Sequence, residues 1–299
     1  MTPPPARPVR VGALAYGVTR IASLDDWAAK LDALVAKGAD GADLLVMPEY
    51  APMEVAAALG ANADAAAELD AVCDVAPALL DTMRDVARHH GVWLLPGTLP
   101  FRGTDGTVRN RAPLIGADGA VTFQDKRVMT RFETESWGVR PGEPPAVFDT
   151  PWGRIGIAVC YDAEFPDLVR AAVRAGAWLV LVPSCTDTPQ GFNRVWLSAR
   201  ARALENQCYV AVSPTVGDAP WLAALDENRG RAAILGPVDR GFPENGVIAQ
   251  GPSDAPGWVF ATLDPAALDR ARADGAVRNH RDWPGPVSDP IPLRPENPR

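Results

Sequence analysis

Short apolar runs recur along the chain and alternate with longer amphipathic segments. Runs of about four to eight apolar residues between turn-forming residues are typical of buried strands. Strands are predicted at residues 9–18, 43–48, 92–100, 154–160, 178–184 and 208–214, and near 231–236, 246–250 and 257–263. Residues 109–123 are predicted to form a hairpin that turns at Ala117-Asp118-Gly119.

Helices are predicted between these strands. Ser23 begins a segment with apolar residues at helical spacing, and residues 64–90 are predicted to be helical with a break near Pro77. Two further helices are predicted at about residues 165–175 and in the segment that ends near Asn206. Because buried strands alternate with helices, the pattern indicates an α/β fold.

No linker or repeat divides residues 9–264, so the sequence predicts one domain over that range. Residues 1–8 are predicted to be an N-terminal tail, and residues 265–299 a C-terminal extension. The proline-rich part from Trp283 is predicted to be an extended arm, with Trp283 and Ile291 packed against the domain or a partner subunit.

Composition narrows the possible partners. The formal net charge of -8 argues against binding to nucleic acid or to an anionic membrane surface. No apolar run reaches transmembrane length, and the first residues do not resemble a secretory signal. We therefore expect a soluble, cytoplasmic protein.

Cysteine and histidine are too sparse to predict a metal or disulfide framework. The four cysteines are widely spaced with no CxxC pair, and the three histidines include His89 and His90 at a predicted helix end. No GxGxxG, P-loop or HExxH motif occurs. We expect neither a metal nor a cofactor.

Three chemically active residues follow predicted strands. Glu49 follows a buried strand, Lys126 follows the hairpin, and Cys160 ends a strand and precedes a helix. Such ends tend to meet at one edge of an α/β sheet. Lysine is rare here, occurring otherwise only at positions 30 and 37 of a predicted solvated helix face. Taken singly, Glu49 could be a solvated loop carboxylate, Lys126 a surface charge, and the cysteines small buried apolar residues.

Taken together, these residues lie in segments that resemble the signatures of the nitrilase superfamily. The segments are MPEY (47–50), DK (125–126), AVCYDAEFPD (158–167), PSCTDTPQG (183–191) and ARARALENQCYV (199–210). The resemblance implies a four-layer α-β-β-α sandwich with two mixed β-sheets. It also implies a homodimer or larger homo-oligomer that pairs through the helices near residues 165–175 and 192–206.

The resemblance implies a Glu–Lys–Cys triad that hydrolyses a non-peptide carbon–nitrogen bond through a cysteine thioester. Glu49 is the expected base, Cys160 the nucleophile, and Lys126 with the backbone N–H of Tyr161 the oxyanion donors. We assign the family's second glutamate to Glu135, with Glu133 as the alternative. The strand-to-helix junction and a nearby cation are expected to lower the pKa of Cys160.

The substrate is predicted to be a small-molecule amide or carbamoyl compound. True nitrilases usually have Trp-Glu after the nucleophile, whereas this chain has Tyr161-Asp162. The substrate pocket is expected to include Tyr50, Trp137 and Asp162. Glu54 and Asp187 are also candidates, although ordinary core or rim positions are equally consistent with the sequence.

Two other functional classes remain open. One is a cysteine hydrolase that uses a histidine base, which needs His89, His90 or His280 near Cys160. The other is a non-catalytic binding member of the fold, which intact Glu49, Lys126 and Cys160 argue against.

Overall fold

A computed structural model of the chain describes residues 6–61 and 64–285. Helices and strands alternate through most of these residues. The helices are α1 (Leu24–Ala39), α2 (Ala65–His90), α3 (Arg131–Glu135), α4 (Pro166–Arg174), α5 (Pro189–Asn206) and α6 (Pro265–Asp274). Short 3₁₀ helices occur at Ala51–Ala57 and Cys160–Glu164.

Most strands lie close to the predicted ranges, but the strands at residues 147–150 and 227–228 were not predicted, and the single strand predicted at 92–100 is two strands. They are β1 (Val9–Gly17), β2 (Leu44–Val46), β3 (Trp93–Leu95), β4 (Leu99–Arg102), β5 (Val108–Ile115), β6 (Val121–Asp125), β7 (Val147–Thr150), β8 (Gly153–Ile157), β9 (Leu179–Ser184), β10 (Tyr209–Asp218), β11 (Glu227–Asn228), β12 (Ala233–Leu235), β13 (Val247–Gln250) and β14 (Gly257–Leu263). The prediction of an α/β fold is confirmed, and the strands form a mixed sheet.

The sheet is built around two parallel sets of strands. In the first set, β1, β2 and β3 are parallel, while β14 pairs antiparallel with β1 and the β5–β6 hairpin continues beyond β3. In the second set, β8, β9 and β10 are parallel, with β7 antiparallel at one side and β12 and β13 at the other. A two-residue parallel pairing between β1 and β10 joins the sets. The carboxyl ends of β2, β8 and β9 therefore lie at the same edge.

The helices pack against these strands in two apolar clusters. One cluster joins α1 and α2 to one face of the first strand set, through residues such as Leu31, Met83 and Leu45. The other joins α4 and α5 to the second strand set and includes residues of β1 and β2 such as Val11 and Leu44. Alternate residues of β1 and β2 thus belong to different clusters, because successive side chains of a strand point to opposite faces.

Helix α2 shows where the local pattern misled the prediction. The break expected near Pro77 is wrong, since the helix continues from Ala65 to His90 with Pro77 inside it. Its buried stripe, including Ala76, Leu79 and Met83, keeps the helix packed although proline lacks a backbone N–H donor. The helix ends at Gly91, which adopts φ 63 in the left-handed region that favours glycine.

Lys30 was expected to be solvated, and this expectation is wrong. Its Nζ contacts Glu54 Oε2 at 2.8 Å and donates to the carbonyl of Gly17 at 2.8 Å. The Glu54 side chain is fully buried and also accepts hydrogen bonds from Tyr16 and the backbone of Thr19. A buried carboxylate requires such partners, and Lys30 supplies the positive charge among them.

The C-terminal residues that the structure describes pack on the domain. Leu268 of α6 is buried, and the Gln207 side chain bonds the backbone at Val277 and His280. The Trp283 ring lies 4.6 Å from the guanidinium carbon of Arg170. Ile291 and part of the predicted N-terminal tail lie outside the described residues. Within the described residues, no helix is both long and apolar enough to cross a membrane.

Candidate active site

Glu49 is held at the carboxyl end of β2 by close backbone packing. Gly97, which follows β3, has φ +96, and a Cβ there would collide with the carbonyl oxygen of Pro48. The backbone N–H of Tyr50 donates to Thr98 Oγ1 at 3.1 Å, and Tyr50 itself has φ 56. Residues other than glycine rarely adopt this backbone conformation, so the surrounding packing must impose it.

Lys126 lies directly after β6, and its side chain is 1% exposed. Its Nζ contacts Glu49 Oε1 at 2.8 Å and Glu133 Oε2 at 2.7 Å. Asn110 of β5, fully buried, donates through Nδ2 to Glu49 at 2.8 Å and to Glu133 at 3.1 Å. One ammonium and one amide group therefore join the two carboxylates.

The assignment of the second glutamate to Glu135 is wrong, because Glu133 makes the contact with Lys126. Glu135 instead pairs with Arg131 at 3.0 Å on the exposed side of α3. Thr130 and Glu133 form a capping box at the start of this helix, which turns the Glu133 carboxylate inward. A helix advances about 100° per residue, so a residue two positions later points away.

Cys160 is the first residue of the 3₁₀ helix that follows β8, and it has φ 49. Its thiol donates to the Cys185 carbonyl oxygen at 3.7 Å, and the Glu49 carboxylate is close enough to raise the pKa of the thiol. Tyr161 is the second residue of the same helix, where backbone N–H groups have no intrahelical acceptor. Its N–H is therefore available beside the sulfur.

The ionisation of these groups is set by burial and by each other's charge. Burial and the Glu49 carboxylate raise the pKa of Cys160 well above its usual value, so the expectation of a lowered pKa is wrong. Burial also raises the pKa of Glu49, against the opposing charge of Lys126. Burial works against the ammonium of Lys126, but the two carboxylates hold its pKa well above normal. Burial likewise works against ionised Glu133, yet Lys126 and several donors lower its pKa.

These directions describe a neutral thiol beside a carboxylate that can accept its proton. Glu49 binds a proton more readily than an ordinary glutamate, whereas Glu133 remains ionised beside a permanent ammonium. The arrangement can therefore transfer a proton from the sulfur of Cys160 to Glu49 without a histidine.

The site opens into a cavity of about 570 Å³. Glu49, Lys126, Glu133 and Cys160 all line it, as do the predicted pocket residues: Tyr50, Trp137, Tyr161 and Asp187. The rings of Trp137 and Tyr50 pack in a T-shaped arrangement with a centroid distance of 5.0 Å, and Tyr50 Oη donates to Glu133 at 2.8 Å. The cavity is large enough for a small molecule.

Two predicted pocket residues do not line this cavity. The expectation for Asp162 is wrong, because its carboxylate is buried and accepts the backbone N–H groups of Arg127 and Val128 at 3.0 and 2.7 Å. It anchors the chain just after Lys126. Glu54 is also outside the cavity, paired with Lys30 as described above.

Comparison with known proteins decides the family. The sequence profile of the carbon–nitrogen hydrolases matches residues 12–273. The chain belongs to the carbon–nitrogen hydrolase family. The resemblance to the nitrilase superfamily is thereby confirmed.

Individual carbon–nitrogen hydrolase relatives are moderately similar to this chain. Probable hydrolase YhcX of Bacillus subtilis is 31% identical over 93% of this chain and 54% of its own length. A deaminated glutathione amidase of Yersinia enterocolitica is 33% identical over 46% of this chain and 52% of its own length. The chain thus spans about half the length of these curated relatives.

Among solved structures, an amidase from Nesterenkonia sp. is 26% identical, with a TM-score of 0.66 over 92% of this chain and 95% of its own. A variant of that amidase with glutamine in place of a glutamate carries acrylamide added at its active-site cysteine.

This family member contains two further site contacts that sequence reasoning missed. Besides Asn110, the backbone N–H of Cys185 donates to Glu49 Oε2 at 3.0 Å. Asn110 had a weak signal, as a polar residue at an inward position of a strand in which Ala112 and Leu114 are buried. Cys185 had no sequence signal, because its donor is a backbone N–H group, which every residue except proline has.

The histidines lie apart from the cavity of this family member. His89, His90 and His280 are all described, and none lines the cavity, so a histidine base for Cys160 has no structural support. Asp32, His89 and His90 have potential metal-binding atoms within 4.8 Å of one another at the junction of α1 and α2. His90 Nε2 lies 2.8 Å from Asp32 Oδ1, so two of these potential ligand atoms already form a hydrogen bond with each other.

Proposed function

We propose that this protein hydrolyses the carbon–nitrogen bond of a small-molecule amide through a thioester on Cys160. The observation that carries the proposal is the buried group in which Lys126 joins Glu49 and Glu133 beside the thiol, at the base of a cavity. Membership of the carbon–nitrogen hydrolase family and the amidases among its relatives support the same reaction.

The first half-reaction begins with proton transfer. Glu49 takes the thiol proton as the sulfur of Cys160 attacks the amide carbon, forming a tetrahedral intermediate with a negative oxygen. Lys126 Nζ and the backbone N–H of Tyr161 are the donors for that oxygen. The loss of one such donor typically lowers the rate by about 10²–10³.

Collapse of the intermediate breaks the carbon–nitrogen bond. Glu49 returns its proton to the departing nitrogen, so ammonia or an amine leaves and the acyl group remains on sulfur as a thioester. In the second half-reaction, Glu49 takes a proton from water, which attacks the thioester carbon. The proton returns to sulfur, and a carboxylic acid is released.

The proposed role of Glu133 is to hold Lys126 in place and keep it charged. Its carboxylate has four donors besides Lys126: Tyr50 Oη, Asn110 Nδ2, and the backbone N–H and hydroxyl of Thr130. A carboxylate held this firmly is a poor proton acceptor, which leaves the acid–base steps to Glu49.

The test is ammonia release from a panel of small amides, carbamoyl amino acids and nitriles. We expect turnover of an amide and its loss in Cys160→Ala. Cys208→Ala is the matched control, since that thiol is buried beside α5 and does not line the cavity. Equal activity in wild type and Cys160→Ala would refute the thioester mechanism, and turnover of nitriles alone would refute the amide assignment.

Two finer structural points are also proposals. The separate apolar clusters of α1–α2 and α4–α5 support a four-layer α-β-β-α arrangement with two mixed β-sheets. Leu197 and Leu204 are 59% and 41% exposed on one face of α5, which supports pairing of two copies there. Light scattering of wild type and Leu197→Asp tests the second point, and a monomeric wild-type protein would refute it.

A further inference from the structure

Two small residues form part of one wall of the cavity. Ala223 and Ala224 line the cavity within the segment that connects β10 to β11. Leu222 and Leu225 on either side are buried, and the Ala219 N–H donates to the Asp226 carbonyl at 2.7 Å. The segment is thus folded back on itself, with the two alanines facing the cavity.

A buried carboxylate fixes this wall from behind. Glu68 lies in the first turn of α2 and is 0% exposed. Its Oε1 accepts the N–H of Ala223 at 2.8 Å, and its Oε2 accepts the N–H of Ala224 at 3.0 Å. Both oxygens therefore bind consecutive backbone donors of a segment about 155 residues away in sequence.

The same helical turn also contacts another part of the cavity lining. The Trp137 Nε1–H donates to the carbonyl of Ala65 at 2.7 Å. Trp137 contacts Tyr50, which in turn donates to Glu133. The first turn of α2 thus links two cavity-lining elements while contributing no side chain to the reaction itself.

We propose that Glu68 is a positioning residue that sets the shape of the substrate cavity by fixing the backbone of Ala223 and Ala224. The inference deepens the proposed function and rests on it. Glu68 does not line the cavity, so its effect on substrate is indirect and passes through the wall that it fixes. Its contribution should therefore appear in substrate binding and in discrimination by acyl-group size, and not in the reactivity of the thiol.

Glu68→Gln removes one of the two acceptors with little change in shape. The glutamine oxygen can still accept one N–H, but its amide nitrogen is a donor and would face the N–H of the other alanine. The wall would then have to shift or leave a buried donor unpaired. We expect KM for a well-fitting amide to rise about 10-fold, equivalent to about 1.4 kcal/mol, with kcat changed less than about twofold.

The control is Thr150→Val, which removes another buried hydrogen bond. Thr150 Oγ1 donates to the Gly153 carbonyl at 2.7 Å, at the opposite end of β8 from the nucleophile. We expect this variant to lose stability without a change in KM. Michaelis constants for a series of amides of increasing acyl length, together with the rate of Cys160 alkylation by iodoacetamide, separate the two effects.

The expected result is a KM increase in Glu68→Gln that depends on acyl length, with an unchanged alkylation rate. Unchanged KM values with a lowered melting temperature, as in Thr150→Val, would overturn the proposal, as would a slower alkylation of Cys160. If Glu68→Gln does not fold, Glu68→Asp takes its place, since it keeps the charge but cannot reach both N–H groups.

A measurement without substrate separates this inference from the proposed function. Hydrogen exchange of peptides that cover residues 219–226 should accelerate in Glu68→Gln and not in Thr150→Val. If wild type hydrolyses no amide, the proposed function fails, and unchanged exchange in this segment would then refute the positioning role independently.

Discussion

Replacing Glu133 by glutamine tests the central contact of the candidate site. The Glu133–Lys126 contact of 2.7 Å joins side chains that are 3% and 1% exposed. A hydrogen bond to a buried charged group is worth about 1.5–3 kcal/mol. If the contact is felt fully in the transition state, its loss lowers kcat/KM by about 10- to 100-fold.

Glu135→Gln is the matched control, two residues away on the same helix. Glu135 and Arg131 have side chains 59% and 89% exposed, and such an i,i+4 pair is worth about 0.3–0.5 kcal/mol. We expect kcat to change less than about twofold. Near-UV circular dichroism of both variants checks that the fold is retained.

The pH profile provides a second, independent readout. Burial is the main cause of the raised pKa of Glu49. The charge of Glu133 raises this pKa further, whereas the charge of Lys126 lowers it. Glu133→Gln removes this repulsion, so the acid limb of kcat/KM against pH should move to lower pH. An acid limb that stays in place, or an equal loss of activity in Glu135→Gln, would refute this account of the site.

Three further predictions follow from buried or shifted groups. Lys30→Met leaves the Glu54 carboxylate buried without the ammonium that pairs with it, so the free energy of unfolding measured in urea should fall by about 3 kcal/mol. An unchanged urea midpoint would contradict a stabilising ion pair. Burial and neighbouring arginines lower the pKa of His280 from 6.5 to about 4, so stability present above pH 6.5 should be lost as the pH falls toward 4. With allowance for its partial exposure this is about 1 kcal/mol, which His280→Asn should abolish in melting curves against pH. Besides burial, the Glu49 carboxylate raises the pKa of Cys160, so in Glu49→Gln the thiol should react with iodoacetamide at lower pH. Hydrolysis should fall at least about 10²-fold in the same variant. A shift of the alkylation profile to higher pH would contradict this prediction.

The sequence was sufficient to predict most of the strands and to bring Glu49, Lys126 and Cys160 to one cavity, while their catalytic roles stay predictions. Glu49, Lys126 and Cys160 each follow a strand, and strand ends are fixed by short apolar runs that can be read locally. The carboxyl ends of β2 and β8 meet because β2, β1, β10, β9 and β8 are all parallel, and β6 runs in the same direction because it and β3 both pair antiparallel with β5.

The errors occurred where the outcome depends on side-chain direction or burial. Glu133 and Glu135 are alike in type and nearly alike in position, and only the capping box at Thr130 distinguishes the one that points inward. The pKa of Cys160 was expected to fall because a cation is near, but burial and Glu49 outweigh that cation. Pro77 was expected to break a helix that tertiary packing holds together.

The site explains how two glutamates of equal intrinsic acidity acquire different roles. Both contact Lys126 and Asn110, so neither contact distinguishes them. Glu133 receives additional donors from Tyr50 and Thr130, which stabilise its ionised form, whereas Glu49 receives the Cys185 N–H and faces the thiol of Cys160. With one ammonium shared between two buried carboxylates, the site carries an excess negative charge that binding a proton at Glu49 relieves. Burial and the charge of Glu133 raise the pKa of Glu49, so Glu49 accepts a proton more readily than Glu133 does, and the fold distinguishes the base by unequal hydrogen bonding rather than by a different residue type.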